Sequence, residues 1–526
     1  MNNSKTLFPI LLGLAVIFGI FLGLFFNFPH QAVALNEKSE REQKLRQIID
    51  YIDYEYVDQV NTDSLLDQTI SELLHHLDPH STYIPEDQVS ANEESIRGSF
   101  VGIGIEFKIY KDSLAVVQVM EGGPSEKAGI LPGDRILRAD SISLAGDQLN
   151  SELVVKTLKG KEGSSVKLHV FRPSEAAEKD ITIRRAQVDL NSVSSAFLLN
   201  DSVGLIKLNK FTARSTQEVK LALRKLQNKG ATSIIFDLRD NPGGLLSAAQ
   251  DISDEFLPKG KMIVFTKSRD GSIEESYANH RGLFEKGKLV VLINRGSASA
   301  SEIVAGALQD HKRASIIGRR SFGKGLVQEE ITLKDGSKMR LTTQRYYTPL
   351  GRSIQRDYDS YDESYYFHGN TGSLQEDSTV LLPDSAEFKG PRHQGGILPD
   401  REVGYDTSGT TRLLYHLAMT VDLDESAFRY VDEHRKEFAQ WEEDSFVKNW
   451  EVDSTVYQAF FGIPISKRIE EADSAQVLAL KNRLKAFIAY NRYGTKGYQR
   501  VYAIDDPYVL EALRALNEMK EWNTAD

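Results

Sequence analysis

Ser299, Lys324 and Gln328 fall within one stretch of the chain, and their side chains suffice in kind for acyl transfer. A serine hydroxyl is a weak nucleophile until a base takes its proton. Lys324 sits between Gly323 and Gly325, where the backbone can approach closely and carry the amine inward. Desolvation there favours the neutral amine, which can act as that base. Gln328 can accept or donate the hydrogen bond that orients it. The apolar run Leu289–Ile293 reads as a buried strand, and the sequence from Glu302 to Asp310 reads as a helix. Ser299 therefore stands at a strand-to-helix turn. The free N–H groups of the first helical turn, with Ala300 the candidate, can stabilise an oxyanion. A plainer reading uses the same residues: Ser299 and Glu302 have capping-box spacing, and Lys324 taken alone is a surface cation.

A second turn of this kind follows Phe236 in Asp-Leu-Arg-Asp-Asn-Pro-Gly-Gly, where a bare N–H of Gly243 or Gly244 can supply the other oxyanion donor. Around these turns, strands at Val203–Phe211, Ser233–Asp237, Met262–Thr266 and Leu289–Ile293 alternate with helices from Thr216 and Leu245. The alternation implies a mostly parallel sheet covered by helices. Asp335-Gly336 marks an antiparallel hairpin between Ile331 and Pro349.

The stretches GSASASEIVAGALQD and SFGKGLVQ resemble the C-terminal processing peptidases, also called tail-specific proteases. DLRDNPGG and Gly395–Asp400 match the same family, the latter as the closing stretch of its protease core, and Asp310 falls on a family position. The resemblance implies Ser299 as nucleophile, Lys324 as base and Gln328 as its partner. It also implies a glycine of the 243–244 turn facing the nucleophile, and no metal or nucleotide cofactor.

Between Arg97 and Val188, short β-branched runs alternate with turns. Gly102-Ile-Gly-Ile105 and Ser125–Asp134 resemble the carboxylate-binding loop and a following segment of a PDZ domain. Backbone N–H groups at Ile103, Gly104 and Ile105 could then hold a terminal carboxylate while the peptide adds as a strand. Without the downstream match, the two glycines would only mark a tight turn.

The elements that must position these groups occupy a chain of 526 residues, 40% hydrophobic and 26% charged, which predicts several globular domains. A net charge of -11 with no basic stripe argues against nucleic acid as a partner. The absence of cysteine excludes disulfides and thiolate metal sites. Leu7–Phe28 carries no charge and has the length of a bilayer span, so it predicts an inner-membrane anchor with the remainder exported to the periplasm. Ala32-Val-Ala34 offers a cleavable-signal reading. Gly19 and Gly23 would allow two anchors to pack as a homo-oligomer.

An N-terminal helical segment is predicted by Leu45, Ile48, Ile49 and Ile52. It closes at Leu77–Tyr83, which resembles the stretch before the PDZ domain in the family. His75, His76 and His80 invite a metal reading that Pro79 argues against. Beyond Gly404, the stripe Val477, Leu480, Leu484, Phe487 and Ile488 predicts helices that pack on the N-terminal helices, build an oligomer or cover the proteolytic channel.

The expected architecture is multidomain α/β and α+β. It comprises an anchor or signal (1–35), a helical segment (36–96), an inserted PDZ domain (97–188), a crotonase/Clp-protease-like α/β protease core (189–403) and a helical extension (404–526). The expected function is a serine endopeptidase of the cell envelope that cuts exported proteins near accessible C-termini. Two alternatives are an inactive membrane-tethered PDZ scaffold and a crotonase-like acyl-transfer enzyme, which needs no Ser-Lys pair.

Overall fold

The computed structural model describes residues 40–358, 395–404, 421–462 and 474–519. Leu7–Phe28, with Gly19, Gly23 and the Ala32–Ala34 site, lies outside the described residues. None of the described helices is long and apolar enough to cross a membrane. The chain divides into Met1–Leu73 and Leu74–Asp526. In the first unit, the helix Glu40–Glu55 forms as its apolar periodicity predicts, yet it buries no residue, and Leu45 is 59% exposed.

In the second unit, the segments that carry Ser299 and Lys324 hang on a six-stranded sheet ordered Val193–Leu198, Val203–Leu208, Ser233–Asp237, Lys288–Ile293, Ser315–Gly318 and Arg401–Glu402. The first pair is antiparallel and the other four pairings are parallel. Continuous apolar runs such as Leu289–Ile293 suit central parallel strands, because both faces are covered. The helices Ser215–Asn228, Leu246–Asp254 and Ala300–Asp310 pack on one face through Leu223, Leu226, Ile252 and Val304. The helix Pro507–Glu518 covers the other through Val509, Ala512 and Leu516.

Met262–Ser268 departs from the expected alternation. It leaves the parallel sheet and joins a second, antiparallel sheet with Ile273–Tyr277 and Lys338–Tyr347. The cause is the short link through Gly271: a few residues can reverse a chain into a hairpin but cannot carry the crossover a parallel pair requires. Leu326–Thr332 pairs with Lys338–Tyr347 in the hairpin expected at Asp335-Gly336, and Gly336 has φ 92°.

The segment that resembles a PDZ domain folds as a sheet ordered Ile105–Tyr110, Ser113–Val119, Arg135–Ala139, Ser165–Arg172 and Ala177–Arg184. Its core is Ile103, Leu114, Val116, Ile136, Leu158 and Leu168. Ser99–Gly102 and Ala186–Asp189 pair with each other at the domain's entry and exit.

The C-terminal helices have their own aromatic core of Phe438, Phe446, Trp450 and Phe460, against which Leu480, Leu484 and Ile488 of the expected stripe are buried. They dock on the outer face of the PDZ sheet, where Phe428 packs with Tyr110, Ala115 and Val117. Two ion pairs join the same faces, Lys108 to Asp424 and Arg135 to Asp432, each at 2.5 Å. Arg239, just after the strand Ser233–Asp237 of the six-stranded sheet, reaches Asp506 at 2.7 Å. This region therefore ties the Ile105–Arg184 sheet to the six-stranded sheet.

Candidate functional site

Ser299 has φ 54° and ψ -112°, a backbone conformation that non-glycine residues rarely adopt and that costs on the order of 1–3 kcal/mol. The surroundings hold it there. Asn241, fully buried, accepts the Ala298 N–H at 3.0 Å and the Ser301 hydroxyl at 2.9 Å on its main-chain oxygen. The Tyr346 hydroxyl lies 3.0 Å from the Ser299 carbonyl and also contacts the Lys324 carbonyl, so one buried phenol joins the two segments. The Ser299 side chain makes no helix-cap hydrogen bond, which leaves its hydroxyl for the cleft.

Ser299 and Glu302 stand in the expected capping-box arrangement, in which the Glu302 side chain reaches back to the Ser299 N–H. The Glu302 carboxylate accepts the Ser299 N–H at 2.8 Å, while the Glu302 N–H donates to the Ser299 carbonyl at 2.8 Å. The same carboxylate accepts the Ser321 hydroxyl at 2.6 Å, the Gly323 N–H at 2.7 Å and the Lys324 N–H at 2.9 Å. Glu302 is fully buried and connects the serine turn directly to the lysine loop. Burial pushes its carboxyl up to about 7, against the pull of the Ser321 hydroxyl and the three N–H donors.

Lys324 Nζ donates to Gln328 Oε1 at 2.9 Å, and Gln328 Nε2 donates to the His80 carbonyl. Burial pushes the Lys324 amine down to about 8; Arg340 pushes in the same direction, and Asp78 and Glu302 oppose it. His80 lies close to this amine. Burial pushes its imidazole down to about 3, and Lys324 adds to the effect. Asp78 shapes the His80 turn by accepting the His80 and Ser81 N–H groups, each at 2.8 Å. The resemblance of Leu77–Tyr83 to the family was the signal for this proximity.

A cavity of about 420 Å³ collects Ser299, Ala300, Lys324, Gln328, Gly243 and Gly244 on one wall system. Among the described residues, no hydrogen bond joins the Ser299 hydroxyl to Lys324 Nζ. The two glycines separate in their roles. Gly243 packs on the serine turn: a Cβ there would lie 2.9 Å from Ser299 Cβ and 2.7 Å from the Ala298 carbonyl oxygen. Its N–H donates to Asn241 Oδ1 at 2.9 Å. The Gly244 and Ala300 N–H groups donate to no protein acceptor among the described residues. The unpaired N–H groups are thus at Gly244 and Ala300, whereas Gly243 supplies space.

Asp310 lies at the far end of the serine helix, where it accepts from Arg352 and from the Leu350 N–H at 2.9 Å. It anchors the 348–352 loop. In the PDZ domain, Gly104 has φ 76°, and Ile103 is buried in the domain core with its carbonyl accepting the Ser125 N–H at 2.9 Å.

Residues 202–362 match the profile of peptidase family S41, residues 101–184 that of a PDZ domain, and residues 413–494 a family of unknown function. A carboxy-terminal-processing protease of Bartonella bacilliformis is 35% identical over 344 residues, covering 64% of this chain and 78% of that protein. The chain belongs to this family of serine proteases. A probable CtpA-like serine protease of Staphylococcus aureus is also 35% identical to this S41 protease, over 71% of the chain and 72% of the relative. Among solved structures, a photosystem II D1 C-terminal processing protease is 27% identical over 69% of this chain and 86% of that one, with a TM-score of 0.35.

Proposed function

We propose that this S41 protease cleaves exported proteins near their C-termini, with Ser299 as nucleophile and Lys324 as general base. The observation that carries the reading is the desolvated Lys324 amine, held by Gln328 in the same cleft as a strained, uncapped Ser299. In the first step the neutral amine turns from Gln328 to accept the hydroxyl proton as Oγ adds to the scissile carbonyl. Such contacts tighten once substrate is bound. The oxyanion meets the Gly244 and Ala300 N–H groups. Lys324 then returns its proton to the departing amine, leaving an acyl-enzyme. A water, deprotonated by the same lysine, releases the new C-terminus and restores Ser299.

The PDZ domain would recognise the substrate tail, with its carboxylate at Ile103, Gly104 and Ile105 and its strand beside the Ile105–Tyr110 edge. Placement at the envelope, with the catalytic unit in the periplasm, is supported by the uncharged Leu7–Phe28 run.

A fluorophosphonate probe on the folded protein tests the chemistry. Labelling should occur at Ser299 and be lost in Ser299→Ala and Lys324→Arg. Unlabelled wild type would favour an inactive scaffold, and peptide cleavage by Lys324→Arg would remove lysine as the base. Mass spectrometry of envelope protein C-termini with wild type and Ser299→Ala would identify the substrates.

A further inference from the structure

The cleft that holds Ser299 carries more positive charge than general-base chemistry requires. Lys210, Lys324 and Arg340 all line it, and Glu330 is the one acid among its lining residues. Glu330 is already occupied, accepting Lys338 at 2.7 Å and Arg340 at 3.1 Å. The second partner of Lys338 is Glu93 at 2.8 Å, and that of Arg340 is the neutral Asn92 at 3.2 Å.

Lys210 Nζ donates to the neutral Ser95 hydroxyl at 2.5 Å, and among the described residues no carboxylate lies within ion-pair distance of it. The half-buried amine also lies near the Arg340 guanidinium: burial lowers its proton affinity, and Arg340 lowers it further. Lys210, with no carboxylate partner among the described residues, stands beside Arg340, whose acid Glu330 is shared with Lys338, and this leaves room for an anion from the ligand. In an unmodified peptide, the available anion is a carboxylate. Charge-assisted hydrogen bonds to a desolvated carboxylate are among the stronger polar contacts a cleft can make.

We propose that Lys210, assisted by Arg340, binds a substrate carboxylate close to the scissile bond and so selects peptides that carry one there. The inference rests on Ser299 cleaving peptides in this cleft. The carboxylate can be an Asp or Glu side chain or the chain end itself, since both present the same two oxygens. Lys210 is then a specificity-determining residue, separate from the proton transfer assigned to Lys324.

Binding to the Ser299→Ala protein tests this without requiring turnover. Fluorescence anisotropy would compare amidated peptides carrying Glu or Gln at successive positions, and the Gln peptides with a free C-terminus. One Glu position, or the free terminus, should bind about ten- to a hundredfold more tightly than its neutral twin, the factor one charge-assisted hydrogen bond supplies. The ratio should fall toward one when Lys210→Met is added, and survive Lys210→Arg. A preference carried by the free terminus alone would assign the site to the chain end. Equal binding of every acid and its neutral twin would overturn the proposal, as would a preference that persists in Lys210→Met. Cleavage by wild type reports separately: if none of the peptides is cut, the protease reading fails while the binding result still decides the role of Lys210.

Discussion

If the neutral Lys324 amine is the reacting form, the pH dependence of kcat/KM follows from its surroundings. With the amine at about 8, roughly 9% is neutral at pH 7, whereas at the ordinary lysine value of 10.5 roughly 0.03% would be. Burial and Arg340 together thus raise the reactive fraction at pH 7 by roughly three-hundredfold. On a C-terminally amidated peptide substrate without ionisable side chains, which offers no carboxylate for Lys210 and Arg340 to bind, kcat/KM should rise about tenfold per pH unit below pH 8 and level off above it. Arg340→Met removes a cation that opposes protonation of Lys324, so the ammonium becomes easier to form. The rising limb should move to higher pH, activity at pH 7 should fall, and the plateau at high pH should be largely recovered. A purely structural defect would lower the whole profile without moving its inflection. Stopped assays across pH 6 to 10, with circular dichroism at each pH to confirm folding, give the result. An unshifted inflection in Arg340→Met, or a wild-type profile flat from pH 6 to 9, would refute a lysine base tuned by this cleft.

Other expectations follow from the same contacts. Glu302→Gln places an amide where four donors converge, leaving about two of them unpaired at roughly 1–3 kcal/mol each, so thermal unfolding should shift down and Ser299 probe labelling should slow; an unchanged Tm would contradict this. Arg135→Glu sets like charges against Asp432 across a nearly buried contact and should weaken PDZ docking by about 3 kcal/mol, read as faster hydrogen exchange over residues 97–188 with the protease sheet unaffected. At Gly104, φ 76° and Val188 only 3.3 Å from a Cβ mean that Gly104→Val should impair turnover of free-acid substrates more than amidated ones; equal losses would remove carboxylate capture from the account.

Much of the protease was legible locally. The apolar run before Ser299 and the small residues around it specify backbone geometry within a few residues, so the strand and the turn could be read without tertiary information, whereas the choice of an inward lysine over a surface cation rested on the family resemblance. The PDZ segment was legible through the resemblance of Gly102–Ile105 and Ser125–Asp134 taken together, since its glycines alone mark only a tight turn. Periodicity also found the buried stripe Leu480, Leu484 and Ile488, because helical spacing encodes which face is apolar.

What needed the tertiary structure involves partners far apart in the chain. Gln328 is held by the carbonyl of His80, 248 positions away, through the chain's path around the inserted PDZ domain. Gly243 and Gly244 are chemically identical in sequence; only the Asn241 side chain, which takes the Gly243 N–H, leaves Gly244 with the unpaired donor. Glu302 had the spacing of a simple cap, and its role as the link to Ser321, Gly323 and Lys324 appears only when the two loops meet in the interior. An apolar stripe states that a helix must be covered but not by what, so the docking of Phe428 on Tyr110, Ala115 and Val117 came from the fold. Local backbone preference is written in adjacent residues, whereas the choice of partner depends on which surfaces remain unsatisfied once the whole chain has packed.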